Sequence, residues 1–250
     1  MADSVKGQPS KRGDARRERW KEHRSVRRAE FVEATIRALA THGPDVGMDE
    51  IAAEAGVTKP VIYRHFSDKA DLYLAVGARA TDLLMEQIVP AIERRGSPRE
   101  RISAVIDAYL CTIEERPELY RFMTRRSFAD RPVDADPASR TEAMIASRLA
   151  RLLGEYMRLL GLDSGAAEPY AFAVVGAVEK AGDWWLERQT MSRENLRDYL
   201  VNIVWHAIDG FTRISGVEID PDMPLDFDLP STQLRLVREN PDQQENRETS

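Results

Sequence analysis

The sequence predicts an all-α chain of about nine helices. An amino-terminal three-helix unit built around a helix-turn-helix is followed by a larger helical body. Three observations carry this. Apolar residues recur at three- and four-residue spacing from Phe31 to Ile214, with no alternating strand pattern of useful length. Helix boundaries are written into the chain, as in the capping box Ser97-Pro98-Arg99-Glu100 and the stop at Gly161. Residues 48–66 spell two short helices around a turn that glycine suits best.

Residues 1–23 are polar, basic and without apolar period, and are read as a disordered arm. The first helix, residues 24–41, places Phe31, Ala34, Thr35, Ala38 and Leu39 on one face and ends at His42-Gly43-Pro44. In the second, Ile51, Ala52 and Ala55 form the apolar stripe, and Gly56 stands where a helix end favours a left-handed backbone. Thr58 is placed to cap the third helix, residues 59–65, with its hydroxyl, and Pro60 sits in its first turn, where a missing N–H costs little. Val61, Ile62 and Phe66 tether one side of that helix. Lys59, Tyr63, Arg64 and His65 are left as donors suited to phosphates and base edges.

The fourth helix, residues 68–88, turns Leu72, Val76, Leu83 and Leu84 inward and ends near Pro90. A fifth helix follows Ser97, and Pro117 starts a sixth that runs to about residue 127. The seventh spans residues 138–160, the eighth 166–189 and the ninth 192–214, with Ser192 as its cap. From Gly216 prolines and acids prevail, so 216–250 is read as an acidic, mostly disordered tail. The expected domains are therefore 24–72, which holds the helix-turn-helix, and 73–215, a helical body.

Composition narrows the function. No segment approaches the ~20 apolar residues of a membrane span, and the amino terminus has no apolar signal core. The one cysteine, Cys111, cannot form an internal disulfide, which fits a reducing cytoplasm. A net charge of −6 conceals an asymmetry: residues 1–30 hold ten Lys/Arg against five Asp/Glu, while residues 216–250 hold three Arg against nine acids. A basic segment ahead of a helix-turn-helix suits phosphate or minor-groove contact. His23, His42, His65 and His206 lie at no ligand spacing, so no metal is expected. No nucleophile elbow, phosphate-binding loop or dinucleotide fingerprint is present, so neither an enzyme nor a cofactor is expected.

Residues 28–78, centred on the run from Gly56 to Tyr73, resemble the amino-terminal domain of the TetR family of bacterial transcriptional regulators. The resemblance includes the aromatic pair Tyr63 and Phe66, with Lys69 and Leu72 closing the reading head. It departs before the second helix, where Gly47 replaces the family's threonine. DNA contacts are expected from Arg27 and Arg28 of the basic segment, from Gly47 and Met48, where the family's hydroxyl contact is missing, and from Thr58, Lys59, Pro60, Tyr63, Arg64, His65 and Lys69. The resemblance makes 73–215 an effector-binding and dimerisation domain.

It also implies a homodimer on a palindromic operator, paired through the last two helices. Val174, Ala177, Val178 and Ala181 offer a small-residue strip, and Leu200, Val204, Ala207, Ile208 and Phe211 a bulky one. A concentration of aromatic and charged residues suggests an apolar effector cavity: Arg121, Phe122, Arg125 and Phe128, then Tyr156, then Phe172, Glu179, Asp183 and Trp184. The Trp184-Trp185 pair and the Pro117-Glu-Leu-Tyr-Arg-Phe122 opening are similar to actinobacterial lipid-metabolism regulators that sense acyl-CoA thioesters. A one-component regulator, a repressor with an acyl-CoA effector, is the expectation. The alternatives are a drug-responsive efflux repressor of the same family and a helical scaffold that does not bind DNA.

Overall fold

The computed structural model describes residues 11–125 and 137–224. Their helices are α1 (Lys11–His42), α2 (Met48–Glu54), α3 (Lys59–Tyr63), α4 (Lys69–Glu93), α5 (Pro98–Glu115), α6 (Pro117–Arg125), α7 (Pro137–Leu159), α8 (Ala167–Arg188, after a 3-10 turn at Ser164–Ala166) and α9 (Arg193–Ile214). No strand occurs among the described residues, and no helix there is long and apolar enough to cross a membrane. The chain divides into two compact units, Met1–Asp82 with Glu118–Ala138, and Leu83–Pro117 with Ser139–Ser250. α6 thus falls with the reading head, and the boundary lies at Asp82–Leu83 inside α4, where the sequence suggests 72–73.

Two helices differ from the sequence reading. α1 begins at Lys11, so residues 11–23, expected to be disordered, continue a helix whose anchor is the apolar face from Phe31 onward. α4 runs through Pro90 to Glu93. Pro90 is exposed, and on the solvent side hydration can replace the hydrogen bond that its ring removes.

In the first unit, Phe31, Leu39, Ile51, Ile62, Phe66, Leu72, Val76 and Phe122 are fully buried. α2 ends in a Schellman motif: Val57 N–H donates to Ala52 O at 3.0 Å and Gly56 N–H to Ala53 O at 3.1 Å, with Gly56 at φ +64°. That geometry sets the angle between α2 and α3. Tyr73 donates its hydroxyl to Val46 O at 2.8 Å and meets the Phe122 ring edge-on, with centroids 5.0 Å apart. Phe122, expected to line an effector cavity, is therefore a core residue of this unit, only 1% exposed.

In the second unit α5 packs against α9 and α8. The Ser97 box forms as expected, with Glu100 N–H donating to Ser97 Oγ at 3.3 Å and Ser97 N–H to Glu100 Oε2 at 3.0 Å. Leu200 and Val204 are buried alongside Leu196, Val201 and Trp205. Expected in a dimer strip, they belong instead to the interior of one protomer. The outward apolar positions of α9 include Tyr199, Ile203, Ala207 and Ile214, the last 90% exposed.

The segment after α9 also departs from the expectation of a loose tail. Val217 and Ile219 join Trp205 in a cluster with Ile102, Leu160, Leu162 and Ile208 packed around it. Arg99 ties the segment further, its N–H donating to Pro221 O at 3.0 Å and its Nε to Asp222 Oδ1 at 3.0 Å. The tail residues expected to dock, Leu225, Phe227 and Leu229, lie outside the described residues.

Gly182 permits the close approach of α8 to α5. A Cβ there would lie 2.9 Å from Tyr109 Cε1 and 3.1 Å from Ile113 Cδ1, both on buried side chains. Replacing it with Ala would trade about 1 kcal/mol of helix propensity against roughly 1–3 kcal/mol of overpacking. The β-branched Gly182→Val adds volume without that gain, and should destabilise the second unit by at least about 2 kcal/mol. Urea denaturation followed by circular dichroism measures it, with a midpoint equal to that of the unaltered protein as the contrary result.

Candidate nucleic-acid interface

α3 has five residues, far below the ~12 that an isolated helix needs in water, so its placement depends on its neighbours. Ile62 at 0% exposure and Phe66 at 1% bury its inner side. Phe66 meets Phe31 of α1 edge-on, with ring centroids 6.5 Å apart. With the inner side committed, Pro60, Tyr63 and Arg64 face outward. Tyr63 is 44% exposed and presents its hydroxyl end on that outer side.

The predicted contact residues divide into those that present donors outward and those used internally. Lys59 is on the outer side, 2.7 Å from Asp49, and the hydrogen bond that its ammonium donates to that carboxylate raises its pKa. The Lys69 ammonium sits 5.1 Å from the ring centre of Tyr73 at the first residue of α4. Thr58 caps α3 through its carbonyl, which Val61 N–H reaches at 2.9 Å, and not through its hydroxyl as expected. Thr58 itself stays exposed at the helix entrance. Gly47 provides half of a capping box, its N–H donating to Glu50 Oε2 at 3.1 Å. Met48 next to it is buried, so its side chain packs inward and does not read bases.

Arg27 and Arg28 have different surroundings. The Arg27 guanidinium lies over the Phe31 ring at 5.2 Å and pairs with Glu30. Arg28 is engaged on three sides. It donates to the His65 carbonyl and to Asp71 Oδ1 at 2.9 Å, and its guanidinium lies 4.0 Å from the Phe66 ring centre. The Arg28 guanidinium holds the Asp71 carboxyl below its ordinary range despite desolvation, with the Ser67 N–H assisting. Asp71 is absent from the residues that the sequence singles out. Its signal is its place three residues after Asp68, whose carboxylate accepts from Asp71 N–H at 2.7 Å, a pattern that marks the start of α4.

His65 is perturbed as well. Its ring tilts over Phe31 at 5.4 Å, and its Nδ1 is buried without a hydrogen-bond partner. Desolvation lowers its pKa below 6.5, and Arg24, Arg27, Arg64 and Arg28 lower it further. A cationic imidazole is thus disfavoured in a cluster of four guanidinium groups.

The residues expected to bind an effector are divided between the two units. Arg121 pairs with Glu118, and Phe122 is core in the first unit. Arg125 closes α6 with its side chain outside the described residues, as is all of Phe128. In the second unit the Tyr156 hydroxyl accepts from Arg101, and Asp183 pairs with Lys180 at 3.0 Å. Burial raises the pKa of Glu179, and Glu142 adds to the rise. Phe172 and Trp184 are exposed on α8, and twelve residues at about 1.5 Å each put them about 18 Å apart, too far to line one small cavity together. Of the Trp pair it is Trp185 that turns inward, its indole N–H donating to Met191 O at 2.8 Å. It lines an open cleft of about 310 Å³ at the α8–α9 turn, where Arg193 is neutralised by Glu114 at 3.2 Å. That cleft is polar and does not match the apolar cavity expected.

Residues 31–76 match the family described as bacterial regulatory proteins, tetR family, and residues 87–215 match the tetracyclin repressor-like C-terminal domain. The chain belongs to the TetR family of bacterial transcriptional regulators. It is 39% identical over 205 residues to an HTH-type transcriptional regulator of Mycobacterium tuberculosis H37Rv, covering 81% of this chain and 86% of that one. The HTH-type transcriptional activator FasR of Mycolicibacterium smegmatis is 29% identical over 188 residues, 74% of this chain and 84% of the relative. Among solved structures, FadR of Bacillus subtilis in complex with stearoyl-CoA has a TM-score of 0.58 at 16% identity, over 70% of this chain and 96% of that one. This TetR family member therefore has the family's helix-turn-helix as its DNA-binding domain, and Gly47, Tyr63 and Lys69 lie within the matched residues.

The direction of the His65 shift has a consequence for stability. A folded-state pKa below 6.5 means that the unfolded chain binds the proton first as pH falls. Stability present above about pH 6.5 should then decline on acidification through the folded-state value. His65→Gln should flatten the stability profile between about pH 7.5 and 5.5 in urea titrations, and an unchanged profile would count against the desolvation of Nδ1.

Proposed function

We propose that this TetR family protein is a homodimeric one-component regulator that binds a palindromic operator and changes its operator affinity when a fatty acyl-CoA occupies its body. The observation that carries the DNA-binding part is the outer side of α3, where Tyr63 and Arg64 stand exposed beside Lys59 over a buried Ile62 and Phe66. Such a helix costs stability to display and suits major-groove reading. Slopes of log affinity against log salt test it. Removing one phosphate partner, as in Arg64→Ala or Lys69→Ala, should make the slope shallower by about 0.9. Unaltered slopes and affinities in both variants, on a fragment recovered by genomic selection, would place DNA binding elsewhere.

The dimer reading rests on apolar side chains left outward by one protomer. On α9 these are Tyr199, Ile203, Ala207 and Ile214, at spacings of four, four and seven, and on α8 Ala173, Ala177 and Trp184. Tyr170 of α8 meets Phe211 of α9 at 4.8 Å and joins the two rows. A patch of this kind is characteristic of association. Ile203→Asp should convert dimer to monomer while the fold survives, since an unpaired charge in a closed interface costs about 3–5 kcal/mol. Val204→Asp should unfold the chain instead, because Val204 is already buried in the protomer. Sedimentation velocity separates the two outcomes, and a dimeric, folded Ile203→Asp would move the interface off this face.

The acyl-CoA class is supported by FadR, solved with stearoyl-CoA in the same fold. Titration of acyl-CoAs of increasing chain length against the protein–operator complex tests it. Absence of any response, with release by a cationic or aromatic drug, would favour the efflux-repressor reading. FasR is named an activator, so the sign of the response is to be read from transcription and not from the fold.

A further inference from the structure

Arg28 stands where a helix-turn-helix protein meets DNA, on α1 beside the end of the recognition helix, and its charge invites assignment as a phosphate contact. Its geometry points elsewhere. One Nη donates to the backbone carbonyl of His65, two residues past the end of α3, and lies 3.4 Å from Asp71 Oδ2. The other Nη donates to Asp71 Oδ1 at 2.9 Å. The guanidinium lies on Phe66 at 4.0 Å, the residue that buries the carboxyl side of α3. Asp71 in turn accepts from Ser67 N–H at 2.9 Å, so the link between α3 and α4 ends on the same carboxylate.

We propose that Arg28 and Asp71 form a positioning lock for the recognition helix, fixing its exit to α1 and α4, and that Arg28 contributes to operator discrimination through this lock and not through a DNA contact. The reason lies in the length of α3. A five-residue helix has too few internal hydrogen bonds to hold its own axis. Ile62 and Phe66 secure its inner side, but apolar burial is non-directional and tolerates rotation and sliding. The directional restraint must come from hydrogen bonds, and at the exit the carbonyl of His65 receives one from a planar, bidentate group. Lysine would supply the charge without the fork. The pair is also neutral, so Arg28 while so paired adds little to the positive field that draws DNA.

The lock and the phosphate-contact readings predict opposite signs for one variant, which rests on the DNA-binding function proposed above. In Asp71→Asn the protein gains positive charge and Arg28 is released. If Arg28 were a latent phosphate contact, affinity for any duplex should rise and the salt slope should steepen by about 0.9. If it is a lock, affinity for a genomically selected operator fragment should fall at least tenfold relative to a scrambled duplex of equal length, with affinity for the scrambled duplex unchanged or higher. Arg28→Lys, which retains the charge, should lose the same discrimination, and the double variant should be no worse than the poorer single one. Arg28→Lys binding the operator within twofold of wild type, or additive losses in the double variant, would overturn the lock.

Amide hydrogen exchange in the DNA-free protein provides a second readout. Residues 61–66 should exchange at least tenfold faster in both variants while residues 34–39 of α1 keep their protection. Equal exchange in variants and wild type would overturn the proposal without reference to any operator. Failure of the wild-type protein to prefer its selected fragment over the scrambled one would instead refute the function proposed for the reading head, and the exchange result would still decide the lock.

Discussion

The reading head depends on a helix that cannot stand alone. α3 has five residues, and almost everything near it serves to hold it. Burial of Ile62 and Phe66 supplies about 2 kcal/mol apiece. The Schellman turn at Gly56 sets the entry angle, and Arg28 with Asp71 restrains the exit. A longer helix would be more stable, yet it would not need a scaffold, and its outer side would not be presented at an angle set by other elements. Shortness transfers control of the recognition surface from local propensity to tertiary packing.

Polar groups around the same helix are arranged accordingly. Four arginines gather near His65, and its buried Nδ1 has no hydrogen-bond partner. Arg27 is partly covered by Glu30, and Arg28 fully engaged by Asp71. The positive field left for DNA therefore comes from fewer side chains than a count of basic residues suggests. Arg64, Lys59 and Lys69 are the outward set, and even Lys59 carries an acidic partner in the absence of DNA. That partner is exposed, so exchanging it for a phosphate costs little.

The second unit shows the same separation between what packs and what is displayed. α9 buries Leu196, Leu200, Val204 and Trp205 on one side and leaves Tyr199, Ile203 and Ile214 on the other. Both rows are apolar, and both follow helical spacing, so pattern alone assigns Leu200 and Val204 to the wrong one. The segment after α9 escapes the sequence pattern for a related reason. Val217 and Ile219 are too few to form a helical period, but they fill a cluster made by Trp205 and the end of α7.

Local grammar determined much of this protein. Gly56, Pro60, Ser97, Pro117, Gly161 and Ser192 act within a few residues of themselves, so helix order, most boundaries and the helix-turn-helix were legible without coordinates. The family was legible too, since the run from Gly56 to Tyr73 concentrates residues that the motif needs in fixed places. Tertiary structure decided which side of each helix is inside, and thereby that Phe122 is core, that Met48 faces inward and that Phe172 and Trp184 do not share a small site. It also decided the fate of Arg28, whose charge a sequence displays but whose partners, at Asp71 and the His65 carbonyl, come from elements about forty residues away. The physical reason is range: caps and turns are settled by covalent neighbours, while burial and ion pairing depend on groups that only the folded chain brings together.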